Sequence, residues 1–216
     1  MAETGPSYDR ALLLAGARRN AILDRWEVQR YGTDSYRDPD YVSIYGLRPA
    51  EWYAKGIRLL GRTAVECTRD DLGDAIGRDV AGIALMAPPS GGTLVVDLFA
   101  GSGNTLYWML RHQPSARGLG FELDPAVFDL TRRNLAILGL PIDVTNVDYR
   151  AGLAGAAVPA DHLLVVFIAP PRGSICGAPR RRSSRSSTCS PRASETIASC
   201  TRSRSTRRSS PRRSPS

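Results

Sequence analysis

Residues 91–171 predict an α/β fold with a parallel sheet, and three observations carry that prediction. An apolar run from Leu94 to Leu98, interrupted by Asp97, passes directly into Gly101-Ser102-Gly103-Asn104, the pattern of a buried strand, a glycine turn and the start of a helix. Arg117 to Glu122 reads as a second short strand, ending in an acid about 20 residues past the turn, where a doubly wound sheet places a carboxylate. Helix-like and strand-like segments then alternate, which is how parallel sheets are assembled.

The elements follow in order. Gly101 and Gly103 tolerate backbone angles that other residues resist, so the main chain can pass close under a ligand. Asn104 then opens a helix whose free N–H groups gather at the same place. Asp124-Pro125 reads as an N-cap and first helical residue. Phe128, Thr131, Leu135 and Leu138 recur at helical spacing, and Gly139 stops that helix. Ile142, Val144 and Val147 suggest a third strand, followed by Asp148. Leu163 to Ile168 makes a fourth, running into Ala169-Pro170-Pro171-Arg172.

The turn departs from two common nucleotide loops. A Walker loop needs Gly-Lys-Ser/Thr after four spacer residues, and this turn has no lysine. A dinucleotide fingerprint needs a third glycine where Leu106 stands. Asp97 would also repel a pyrophosphate, which weighs against a nicotinamide-dependent oxidoreductase; it suits a ligand carrying a cation or an amine. The bland alternative is a strand–turn–helix with no ligand, and Asp148 alone reads equally well as a solvated loop carboxylate. An acid following each of three strands (Asp97, Glu122, Asp148) is more specific than any one of them.

This combination resembles motif I and its surroundings in the class I S-adenosylmethionine-dependent methyltransferases, over roughly Gly92 to Arg172. It is similar above all to bacterial ribosomal-RNA guanine-N2 methyltransferases and cap-type guanosine methyltransferases. The resemblance implies a Rossmann-like sheet of seven strands, of which strands one to four are accounted for by Ile168. It implies S-adenosyl-L-methionine as cofactor, with no metal. Asp97 and the turn (Phe99, Ala100, Gly101, Gly103, Asn104) would then hold the methionine end, Glu122 the ribose and Asp148 the adenine amino group. Pro170 and Pro171 would be the catalytic pair, presenting carbonyls to a target amine, and the expected acceptor is an exocyclic amine of RNA. The chain departs from the family's Asp/Asn/Ser-Pro-Pro-aromatic pattern at Ala169 and Arg172.

Residues 1–90 predict a helical layer. Leu12, Leu13, Ile22, Leu23 and Trp26 mark a first helix, and Pro49 starts a second with Tyr53, Ile57 and Leu60 on one face. Thr68 caps a third, Asp71 completing a capping-box variant, with Leu72, Ile76, Val80 and Ile83 as its apolar stripe. The layer reads either as packing or as a substrate-side lid, in which Tyr31, Tyr36, Tyr41, Tyr45, Trp52 and Tyr53 would stack on bases. Cys67 reads as a small buried or half-buried residue, and His112 and His162 as isolated histidines. A secretory signal is absent, as is any apolar run of about 18 residues, so a cytoplasmic protein with no membrane partner is expected.

Residues 172–216 are different in kind. They carry 12 Arg, 14 Ser and no Lys against the single acid Glu195, whereas the remainder holds 17 basic and 20 acidic residues. The whole basic character of the chain therefore sits in this stretch, which predicts a disordered tail. Its three cysteines (Cys176, Cys189, Cys200) lack zinc-site spacing. Twelve arginines without a lysine is what GC-rich DNA yields in an unselected frame. Read from the third base of each codon, with GC-favoured codons, the region can encode a helix-like Val-Val-Glu-Ile-Val-Asp-Leu-Leu, a glycine stop and an alternating Leu-Val-His-Ala-Ile-Gln-Val. Those are elements that the fold lacks after its fourth strand, which suggests a frameshift near codons 171–173. The competing readings are a genuine arginine–serine tail that binds RNA phosphates, or a non-catalytic product. Sequencing the coding DNA across codons 165–180 separates them. A frame continuing into the apolar string makes the tail a shifted product, and DNA that encodes the Arg/Ser tail as written removes the frameshift.

Overall fold

A computed structural model describes residues 7–86, 90–140 and 142–171. The tail, the frame discontinuity and Arg172 fall outside the described residues. Among the described residues twelve elements succeed one another: α1 (Arg10–Leu14), α2 (Arg25–Tyr36), α3 (Pro49–Ala54), α4 (Gly61–Glu66), α5 (Asp70–Met86), β1 (Gly92–Asp97), α6 (Asn104–His112), β2 (Arg117–Phe121), α7 (Pro125–Ile137), β3 (Asp143–Thr145), α8 (Tyr149–Gly155) and β4 (His162–Phe167). The strands form a parallel sheet in the order β3-β2-β1-β4, so the α/β fold expected from the sequence is present.

β1 is central and buried on both faces, which explains its unbroken apolar run. Val95 packs on Leu106, Met109 and Val80, whereas Leu94, Val96 and Leu98 pack with Phe121 on the opposite face. α7 starts where expected: Pro125 is its first residue, and the Asp124 side chain accepts from the N–H groups of Ala126 and Val127. Gly139 lies just past its end with φ +62°. Chain order reverses between β1 and β4, since β1, β2 and β3 step outward on one side and β4 returns on the other. In open parallel sheets a ligand crevice forms at the carboxyl ends of the strands at such a reversal.

The N-terminal layer is helical but divided differently from the expectation. The first helix is two. α1 ends at Leu14, and a new helix starts after Asp24, where Asp24 and Glu27 form a reciprocal capping box. Ile22 lies between them on an isolated bridge to Leu60, and both Ile22 and Trp26 are exposed. α3 does start at Pro49 but ends at Ala54, so Ile57 and Leu60 lie beyond it. In α5 the buried face is Gly73, Gly77 and Val80, while Leu72 and Ile83 face outward. The glycines decide this: a Cβ at Gly73 would come within 2.5 Å of the Trp108 ring and one at Gly77 within 2.5 Å of the Trp108 carbonyl oxygen, so α5 and α6 can approach closely only because both positions lack a side chain. α5 begins at Asp70, two residues after the expected cap at Thr68.

Three of the layer's aromatics are core. Tyr31, Tyr45 and Trp52 are buried in one cluster with Leu13, Ile44, Ile57 and Leu135, which favours packing over a lid for those three. Tyr36 and Tyr41 stack on each other at 3.5 Å. The histidines are not isolated: His112 Nε2 lies 2.7 Å from Asp74, and His162 Nδ1 lies 2.9 Å from Asp161. Cys67 is half-buried, and burial pushes its thiol up to about 12. Among the described residues no helix is long and apolar enough to cross a membrane.

Candidate functional site

The four parallel strands deliver four loops to one edge of the sheet. Asp97 and the glycine turn end β1, Glu122 follows β2, Asp148 follows β3, and Pro170 and Pro171 follow β4. Every candidate residue named from the sequence therefore lies at the carboxyl edge. β4 is paired to β1 throughout, with Phe167 opposite Asp97, and the Leu98 N–H donates to the Phe167 carbonyl at 3.1 Å. The glycine turn and the Pro170–Pro171 segment thus leave neighbouring strands, on either side of the reversal. Pro170 is exposed and Pro171 half-buried.

Two glycines in left-handed backbone make the turn, Gly101 at φ +50° and Gly103 at φ +76°, where any L side chain is strained. The turn is tied at nearly every residue. Asp97 Oδ1 accepts from the Phe99 N–H at 3.0 Å. The Ala100 N–H donates to the Phe121 carbonyl at 2.8 Å, and the Gly101 N–H to Glu122 Oε2 at 3.0 Å. Thr131 Oγ1, on α7, donates to the Gly101 carbonyl at 2.6 Å. Thr131 was visible in the sequence only as a position on a helical stripe.

The carboxylates differ in environment. Asp97 is 1% exposed. Burial, together with the charge of Glu122, pushes it up to about 7, against the pull of the Phe99 N–H. Burial likewise raises Glu122, opposed by hydrogen bonds from the Asp124 and Gly101 N–H groups, which engage both its oxygens. Burial also acts on Asp124, but the Arg62 guanidinium at 2.5 Å outweighs it and holds that carboxyl below its ordinary value. Asp148 is the N-cap of α8 and accepts from the Arg150 N–H at 2.9 Å. Asn146, which nothing in the sequence pattern singled out, ties the ends of β2 and β3 by donating to the Glu122 and Leu123 carbonyls.

Asn104 does something the sequence did not indicate. Its carboxamide is 1% exposed and turned into the N-terminal layer. Oδ1 accepts from the Tyr45 N–H at 2.6 Å, and Nδ2 donates to the Thr68 carbonyl and to Asp70 Oδ1. The part of Asn104 that remains at the helix start is its backbone.

The edge is thus acidic, with a glycine turn that keeps side chains off the backbone and a buried carboxyl that has no cation beside it among the described residues. That chemistry fits a ligand bearing a positive charge and hydroxyl donors, and it disfavours a phosphate. Among the described residues no group of three His, Cys, Asp or Glu gathers to hold a metal. A shallow cavity of about 190 Å³ lies away from this edge, at the amino ends of the strands, lined by Leu94, Arg117, Asp143 and His162.

No family model matches this chain, and no curated protein matches it significantly. Among solved structures it is similar to the methyltransferase subunit of the type I restriction-modification system from Streptococcus thermophilus, at 18% identity and a TM-score of 0.32, over 45% of this chain and 22% of that one. It is also similar to the plantazolicin methyltransferase BpumL, solved in complex with a monoazolic desmethylPZN analog and SAH, at 13% identity and a TM-score of 0.30, over 40% of this chain and 30% of that one. The matched segment spans less than a third of either structure.

The raised proton affinity of Asp97 has a signed consequence. The folded chain holds a proton on Asp97 up to about pH 7, whereas the unfolded chain releases it near pH 4. Between those values the folded state binds more protons, so this group makes stability fall as pH rises. Asp97→Asn keeps the acceptor for Phe99 but cannot ionise. Its stability advantage over the parent is expected to grow by about 2 kcal/mol between pH 5 and pH 8 in urea unfolding. A difference that stays flat with pH contradicts the buried-carboxyl assignment.

Proposed function

We propose that this chain binds S-adenosyl-L-methionine at the carboxyl edge of its sheet, and that its activity is transfer of the methyl group to an exocyclic amine of RNA. The observation that carries the reading is the set of three acids, one after each of β1, β2 and β3, around a glycine turn at the point of reversal beside β4. S-adenosylmethionine carries a sulfonium, an ammonium and a ribose diol, which are a cation and donors of the kind such a site accepts.

The roles divide by position. Glu122 accepts from the ribose hydroxyls, and Asp148 from the adenine amino group. Asp97 and the turn receive the methionine end, its ammonium supplying the charge that the buried carboxyl lacks. When bound, the cofactor would supply an electrophilic methyl: its C–S bond would break as the N–C bond forms, the electron pair staying on sulfur and the proton displaced from the amine nitrogen passing to water. The chain's own contribution is placement: the carbonyls of Pro170 and Pro171 accept N–H bonds from the target amine and aim its lone pair. Ala169 offers no side-chain acceptor, so the backbone alone does this.

The amine acceptor is supported by the resemblance of Pro170-Pro171 to the corresponding segment of amino-group methyltransferases, and RNA by the family resemblance of residues 92–172. We place the protein in the cytoplasm and attribute the arginine-rich sequence of residues 172–216 to a shifted frame. One observation favours a second reading, a chain without catalysis: among the described residues the sheet has four strands, and Leu164, Val166 and Ile168 of the β4 segment are exposed.

Incubating the full chain with methyl-labelled S-adenosylmethionine and total RNA tests the proposal. Label in RNA that is lost in Asp97→Ala and in Glu122→Ala supports it. Cofactor binding without label transfer supports a non-catalytic chain. RNA retention that survives deletion of residues 1–171 assigns the RNA contact to the tail. Binding of NAD with no binding of S-adenosylhomocysteine overturns the cofactor assignment.

A further inference from the structure

The segment between α2 and α3 contains a two-residue turn that reaches into the site. Ile44 and Leu47 exchange both backbone hydrogen bonds, at 3.0 and 3.1 Å, so Tyr45 and Gly46 are the corner residues. Both are left-handed, at φ +58° and +74°. Glycine, asparagine or aspartate is the usual occupant of such a corner. A buried tyrosine there is strained and persists only where its surroundings hold it. Tyr45 is 4% exposed and packs edge-on against Tyr107 of α6.

What holds it is the glycine turn. The Tyr45 hydroxyl donates to the Ser102 carbonyl, and its backbone N–H donates to Asn104 Oδ1 at 2.6 Å. Asp70 closes the ring: Oδ2 accepts from the Gly46 N–H at 3.0 Å, and Oδ1 accepts from Asn104 Nδ2 at 3.0 Å and Trp108 Nε1 at 2.7 Å. One strained residue therefore grips both the middle of the turn and the first residue of α6. Burial pushes the phenol up in pKa, so it remains a donor through the working range.

We propose that Tyr45 is a positioning residue for the cofactor site, fixing the peptide between Ser102 and Gly103 so that the turn is formed before a ligand arrives. The claim rests on the cofactor reading above, and it adds a residue from outside the strand–turn–helix unit that carries that reading. The mechanism is preorganisation. A turn containing two glycines has many accessible backbone states, and a strut that removes them lowers the ordering cost of binding.

Tyr45→Phe keeps the ring and removes the bond to Ser102. Two quantities are measured on the full-length variant: amide hydrogen exchange along the chain, and affinity for S-adenosylhomocysteine. Exchange at Gly101 to Thr105 is expected to speed up about tenfold, with β1 and α7 unchanged, and affinity to fall about tenfold. Asn104→Ala, which removes the second grip, should reproduce both effects. Uniform acceleration along the chain with unchanged affinity overturns the proposal and makes Tyr45 a core residue only. Should the parent chain not bind S-adenosylhomocysteine, the cofactor reading fails, and local against uniform exchange still decides whether Tyr45 fixes the turn.

Discussion

Between Asp97 and Asn104 the backbone must leave a buried central strand, reverse, and enter a helix without letting a side chain cover the sheet edge. Gly101 and Gly103 make that path sterically possible, but a permissive path is not a defined one. Definition comes from hydrogen bonds supplied from three directions: Glu122 and Phe121 from the next strand, Thr131 from α7, and Tyr45 from the N-terminal layer. α6 takes its starting point from this turn, and α6 in turn packs against α5 through Trp108 at Gly73 and Gly77. The two parts of the described chain are thereby tied together at the place where a ligand would sit.

The same place carries an energetic burden. A carboxyl at the end of a fully buried strand is expensive to ionise, and among the described residues Asp97 has a single backbone donor and no cation. Glu122 is also raised by burial. A sequence selected for stability alone would not keep two acids together here. Acids with raised proton affinity in a cleft are candidates for a functional site, and the proposed cationic ligand would relieve the penalty of burying Asp97.

The strand–turn–helix, the second strand, the Asp124-Pro125 helix start and the parallel architecture were all readable in the sequence, because each is written in local chemistry: left-handed glycines, a capping aspartate, a proline at the first helical position. The N-terminal layer was harder for equally physical reasons. Apolar residues from Leu12 to Trp26 suggested one helix, but the Asp24…Glu27 capping box begins a new one, and that signal was present and outvoted. The inward face of α5 is set by glycines, which no apolar stripe reveals. The grip of Tyr45 on Ser102 joins residues distant in sequence through a strained corner, and the polar fate of Asn104 depends on it. Nothing in the local pattern at position 45 distinguishes a strut from a core aromatic.

The central claim is that the carboxyl edge is a preformed site for S-adenosylmethionine. Its most direct test is an NMR titration of the isotopically labelled full-length chain with S-adenosylhomocysteine, following every assigned amide. The account predicts saturable shifts centred on Gly101 to Asn104, Glu122 and Asp148, with the amino ends of the strands undisturbed. Shifts concentrated instead around Leu94, Arg117 and His162, or none at millimolar ligand, would contradict it.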